Sequence, residues 1–205
     1  MFNHTTFRFK YWLTAALLTL SASVLAQENV DINLQGDGLP VATAHFTNES
    51  AAPVNITDVI RSDLSRSGGL VNFPVGGETV GLNGANPAEW GAKGAHALVV
   101  GDVVAAGSNY TVRLRLFDAK SKAALGDYAL TVPASGLRGA GHRMADFIYE
   151  KLMGMRGAFS TRLSYVDRVN GKYQLLRSDS DGGGSVWEVI GKGPINAPSW
   201  AAAGV

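Results

Sequence analysis

Residues 135–162, SGLRGAGHRMADFIYEKLMGMRGAFSTR, put an amphipathic helix directly before a change of hydrophobic period. That juncture restricts the chain to folds in which a helix closes one packed unit and short strands open the next. Leu137, Ala140, Met144, Phe147, Ile148 and Leu152 recur at three- and four-residue steps, while Arg138, Arg143, Asp146, Glu150 and Lys151 take the other side. This is the pattern of a helix laid on a sheet. Ser135 is suited to cap it by accepting from a free first-turn amide, Lys151 sits by the negative end of the helix dipole, and Gly154 suits a left-handed C-cap. The helix is therefore predicted to stop near Met153, and a second domain to start at about Ala158.

Ahead of that helix the spacing predicts a βαβ-(α)-βββα unit, a mixed sheet with two main helices against it, of α/β (α+β) class. Leu39 to Phe46 is β-prone, with Pro40 marking an edge or a strand start. Ile56, Val59, Ile60 and Leu64 step at helical spacing behind a cap at Asn55 or Thr57, and Gly68-Gly69 ends the segment. Leu70 to Val75 reads as a short strand, GGETVGLNGANP as a loop and Pro87 to Ala92 as one helical turn. Ala97 to Val104 is apolar on both faces, so it belongs in the middle of the sheet, with Tyr110 to Phe117 and Leu125 to Val132 completing the set.

From Thr161 the period shortens. Leu163 to Val169, Tyr173 to Ser178 and Ser185 to Ile190 are three short strands, joined by Asn170-Gly171 and by Asp179 to Gly182, and Pro198-Ser199-Trp200 would start a fourth. Asn-Gly between strands is a strong hairpin signal. The group has the size of one β-propeller blade, which cannot bury both of its faces without neighbours, so the chain reads as cut short.

A content of 46% hydrophobic and 17% charged residues is a globular balance, and a net charge of +1 offers no electrostatic footprint for nucleic acid. Arg8 and Lys10, the apolar run Trp12 to Leu20 and Val24-Leu25-Ala26 form a cleavable export signal over residues 1–26. The mature chain then begins at Gln27 and holds no further run long enough to span a bilayer. With no cysteine it has neither a disulfide nor a lipidated N-terminus. Candidate chemistry is sparse. Asp179-Ser180-Asp181-Gly182 lacks the later ligands of a calcium loop and reads as a turn, since Gly183 and Ile190 stand where ligands are needed. The glycines at 76, 77 and 81 lack the lysine and hydroxyl of a phosphate loop. His45, His96 and His142 have no second ligand nearby in sequence, and no nucleophile elbow is present. No catalytic, cofactor or metal residue is assigned.

LPVATAHF, DLSRSGGLVNFPV, AHALVVGDVV, YTVRLRLFDAKSKAALGDYALTV and above all HRMADFIYEKLMGMRGAFSTRLSYV resemble the TolB family of the Tol-Pal envelope system, as do LLRSDSDGGGSVWEVI and APSW. The resemblance spans Gln27 to Trp200. It implies an α/β domain over 27–156, the first blade of a β-propeller over 157–205, a periplasmic location and no enzymatic activity. It further implies a role in outer-membrane integrity, in invagination at cell division and in protein import, with TolA-like and Pal-like proteins as partners. The segment after signal cleavage is the TolA-contacting one in that family, which points here to Glu28, Asn29, Val30, Asp31, Ile32, Asn33 and Leu34. Two departures stand out. Trp200 is followed by AAAGV where the family continues into a further turn, so most of the Pal surface would be missing and function impaired, and Ala44-His45-Phe46 replaces a proline-rich first strand. The competing expectation is an autonomous periplasmic α/β adaptor or ligand-binding domain.

Overall fold

Leu39–Thr43 forms β1 and Ile56–Arg66 forms α1 in the computed structural model, which describes residues 38–191, 193–195 and 198–200. Asn55 is the cap of α1, its side chain accepting from the Asp58 amide at 3.0 Å. An Asn55→Ala change is expected to cost about 1 kcal/mol, measured as a lower midpoint in denaturant. Thr57 turns inward instead, donating its hydroxyl to Glu49 at 2.8 Å and accepting from the Phe46 amide at 3.1 Å.

β2 is Leu70–Asn72, shorter than the expected run to Val75, because it pairs with only three residues of β1, from Leu39↔Leu70 to Val41↔Asn72, before Pro74. The connection from β2 holds α2 (Pro87–Ala92) and leads to β3 (Ala97–Ala106), β4 (Asn109–Asp118) and β5 (Ala124–Pro133). The strands lie in the order β2-β1-β3-β4-β5, with β1 parallel to both of its neighbours and β3-β4-β5 an antiparallel meander. This is the mixed sheet the spacing predicts. β3 is at its centre, with Ala97 to Gly101 all buried. Pro40 sits at a strand start inside the sheet rather than at its edge. Its carbonyl accepts from the His96 amide at 2.8 Å and pairing with β3 begins one residue later, at Val41↔Ala97, so its missing N–H precedes the ladder.

The two faces of the sheet carry two cores. On one, Val41, Val99, Val112, Leu114 and Leu116 meet Ile56, Ile60 and Leu64 of α1 together with Leu137, Met144 and Ile148 of α3 (Leu137–Met153). On the other, Ala42, Leu98 and Val100 are covered by Val75 and by Trp90 of α2. α3 ends as predicted, with Gly154 at φ 73°, but it begins differently. Ala134–Gly136 is a single 3-10 turn, so Ser135 lies within that turn and Gly136, which has no side chain to donate or accept, occupies the cap position.

β6 (Arg162–Val169), β7 (Lys172–Asp179) and β8 (Val186–Gly191) form a separate antiparallel sheet in that order. Asn170 and Gly171 both take positive φ, 52° and 78°, which makes the two-residue hairpin turn that Asn-Gly favours. Residues 198–200 carry no strand. Leu163, Tyr165 and Trp187 are exposed by 49%, 41% and 59%, so the sheet leaves apolar surface uncovered, as expected of one blade. The described residues all fall within one compact unit, and among them no helix is long and apolar enough to cross a membrane.

Candidate functional site

The densest buried chemistry lies where α1, α3 and the β7–β8 turn meet. His142 on α3 is 1% exposed and Asp63 on α1 is fully buried, and the two are paired through Nδ1 and Oδ2 at 2.6 Å. Asp63 uses its other oxygen to accept from Arg66, one turn along α1. Among the described residues the Nε2 of His142 has no hydrogen-bond partner, and it points toward Asp179, whose Oδ2 is 3.5 Å away. Arg138, one turn before His142, donates Nε to that same Oδ2 at 3.0 Å and Nη2 to Asp181.

The turn is built to receive that guanidinium. Asp179 donates its amide to the Gly183 carbonyl and accepts from Gly182, each at 3.0 Å, while Gly183 donates its amide to Oδ1 of Asp181 at 2.9 Å. Any side chain at Gly183 would begin on top of the Arg138 guanidinium, so the glycine is what lets the arginine in. Asp179 to Gly182 is thus a turn, as the sequence suggests, and its two carboxylates share the Arg138 guanidinium. His142, Asp179 and Asp181 bring three ligand atoms within 4.8 Å of one another, but Arg138 fills the position that a cation would take between the carboxylates.

Burial alone would push the His142 imidazolium down, yet the hydrogen bond to Asp63 and the charges of Asp63, Asp179 and Asp181 outweigh it and hold its pKa above the ordinary histidine value. Arg138 is raised, chiefly by its hydrogen bond to Asp181. Burial pushes Asp181 up, but the bond from Arg138 leaves it below the usual carboxylate range.

A second cluster lies at the carboxyl end of β1, where α/β sheets commonly place ligands. His45 pairs with Glu49 at 2.8 Å and faces Arg61 at 3.3 Å, and Arg61 also donates to the Thr43 carbonyl at 2.6 and 3.1 Å. Glu49 in turn accepts from the Thr57 amide at 3.1 Å. These groups satisfy one another and tie the β1–α1 connection down. His96 is apart from both clusters, 4.0 Å from Asp118. On the open half of the sheet a groove of about 690 Å³ is lined by Asp102, Arg113, Arg115 and Asp127, which are already paired across the strands.

The residues expected to contact a partner, Glu28 to Leu34, lie outside the described residues, as does the expected export signal. The His142 cluster escapes a sequence reading because Asp63 and His142 are 79 positions apart. The one local clue is Arg138 and His142 at helical spacing ahead of an Asp-x-Asp turn.

Residues 29–125 match the family described as the TolB amino-terminal domain. The structure of TolB from Acinetobacter baumannii is 28% identical, with a TM-score of 0.69, and the match covers 80% of this chain and 41% of that one. The chain therefore spans less than half the length of that TolB. Lipoprotein GNA1162 from Neisseria meningitidis is 18% identical, covering 46% of this chain and 80% of its own, with a TM-score of 0.37. A PelC dodecamer from Paraburkholderia phytofirmans is 19% identical, covering 58% and 90%, also with a TM-score of 0.37.

Proposed function

The chain carries a TolB amino-terminal domain, and from that premise we propose that it is a periplasmic protein-interaction component of the Tol-Pal system. The observation that supports this best is the likeness to TolB from Acinetobacter baumannii over 80% of the chain. In this reading residues 1–26 are an export signal, 27–156 the α/β domain and 157–205 propeller sequence. The protein works by binding rather than by catalysis, and contributes to envelope integrity, to invagination at division and to import.

The arm Glu28 to Leu34 is the segment we assign to a TolA-like partner, with a Pal-like partner belonging to propeller surface. Val30, Ile32 and Leu34 alternate with polar residues, as a segment must that adds a strand to a partner's sheet edge. The matched family span also begins inside the arm, at Asn29. Removing Gln27 to Leu34 from the exported chain is expected to abolish binding to TolA while the melting temperature of the α/β domain changes little, since β1 begins only at Leu39. Calorimetric titration and thermal unfolding of the same two proteins measure both quantities. Undiminished TolA binding would remove the arm from the proposal, and a large fall in melting temperature would return it to the fold.

A further inference from the structure

We propose that His142 is a proton-operated latch, bridging Asp63 on α1 to Asp179 on the β7–β8 turn when it is doubly protonated and letting that turn go when it is neutral. The groups facing it are Asp63, backed by Arg66, on α1, Arg138 on its own helix, and Asp179 and Asp181 on the turn. Three carboxylates thus meet two guanidiniums, and the cluster carries one negative charge in excess unless the imidazole is protonated.

The two ring nitrogens have different fates in the two forms. Nδ1 keeps its proton in either, because a fully buried carboxylate stands 2.6 Å from it. Nε2 is buried with no partner among the described residues and 3.5 Å from Asp179 Oδ2, slightly beyond a good hydrogen bond. With a proton there, it donates to Asp179 and closes that gap. Without one, a lone pair is aimed at a carboxylate oxygen in a buried setting, which repels the turn and leaves a buried nitrogen unsatisfied. Arg138 then holds Asp179 and Asp181 alone. The sign follows from the raised pKa: the bridge is present at low pH and is lost as pH rises through the folded-state value.

The turn amides of Asp179 and Gly182, both hydrogen-bonded within the turn, report the latch in amide-exchange measurements on the full chain. Protection factors are corrected for the intrinsic pH dependence of exchange. On going from about pH 6 to about pH 9, protection at these two amides is expected to fall about tenfold, while amides of β3 and β4 keep theirs. Asp179→Asn, which is partly exposed and leaves the α/β core untouched, is expected to remove the pH dependence, and His142→Gln to do the same. A pH-independent turn in the parent protein overturns the proposal. So does a pH dependence that survives in Asp179→Asn. The same measurements with EDTA separate a proton from a metal ion, for a pH dependence that chelation abolishes would belong to a bound cation and would also overturn the latch. None of these outcomes bears on whether the arm binds TolA, so the two proposals fail separately.

Discussion

Gly101→Ala is expected to cost about 1–3 kcal/mol or somewhat more, although it adds a single methyl group in a strand, where alanine is ordinarily no worse than glycine. Gly101 lies at the centre of β3, opposite Leu114. A Cβ there would overlap the ring of Phe46, a residue only 1% exposed, and would stand 2.6 Å from the Arg113 carbonyl oxygen, which is backbone and has nowhere to go. The glycine leaves room for the Phe46 ring where the chain leaving β1 runs on beside β3: Thr47 donates its amide to the Gly101 carbonyl at 2.9 Å and, two residues on, Val103 donates to the Thr47 carbonyl at the same distance. Thermal unfolding should register the loss as a fall in melting temperature of about 2–4 °C for each kcal/mol. Pairing it with Phe46→Leu should recover part of the stability by relieving the ring and not the carbonyl. If Gly101→Ala unfolds like the parent, β3 and β4 are not held as closely as their register implies.

That glycine also shows where a sequence reading stops. Ala97 to Val104 announces a central strand by being apolar on both faces, and burial of Ala97 to Gly101 follows from it. Nothing local tells Gly101 from a flexible glycine, because the atoms that forbid a Cβ belong to Phe46 and Arg113. The same holds for caps. Asn55 is legible because its partner, Asp58, is three residues away. Ser135 misleads because a 3-10 turn ahead of α3 depends on how β5 delivers the chain. Element types and order needed only periods of two and 3.6 and turn residues, all of them local.

The His142 cluster is the clearest case of what periodicity hides. Leu137, Ala140, Met144 and Ile148 mark the buried stripe of α3, and all four are buried. His142 lies beside that stripe and is buried with it, as are Gly141 and Ala145. A helix touching a sheet on one side and α1 on another buries a wider arc than an apolar stripe alone indicates. Polar residues inside the arc are then accounted for only by their partners, here Asp63 on another helix and two carboxylates on a turn of another sheet. Gly183 gives the same lesson. As a missing calcium ligand it argues against a metal loop, and as a residue without a side chain it admits Arg138.

Asp63→Ala is expected to be the most damaging single polar substitution in the α/β domain, costing about 3–5 kcal/mol. Asp63 is fully buried and serves two cations, Arg66 and His142. Removing it strands the His142 Nδ1 proton in the core while the exposed end of Arg66 turns to water, so the penalty is mainly that of an unpaired buried donor. Its sign with pH is fixed by His142. A histidine whose folded pKa lies above its unfolded value adds stability that is fully present below the unfolded pKa and disappears as pH rises through the folded one. The parent should therefore lose stability over that window, and Asp63→Ala should flatten the loss, because the carboxylate that raises the pKa most is gone. Replacing both partners by leucine is expected to cost much less than Asp63→Ala alone, since a buried pair exchanged for apolar groups leaves nothing unsatisfied. Denaturant unfolding of the parent, the two single leucine variants, the double variant and Asp63→Ala at two pH values supplies the full cycle. A loss below about 1 kcal/mol for Asp63→Ala would mean that the pair behaves as a surface ion pair does, and the seam between α1 and α3 would then be held by its apolar contacts, with Arg138 still joining α3 to the β7–β8 turn.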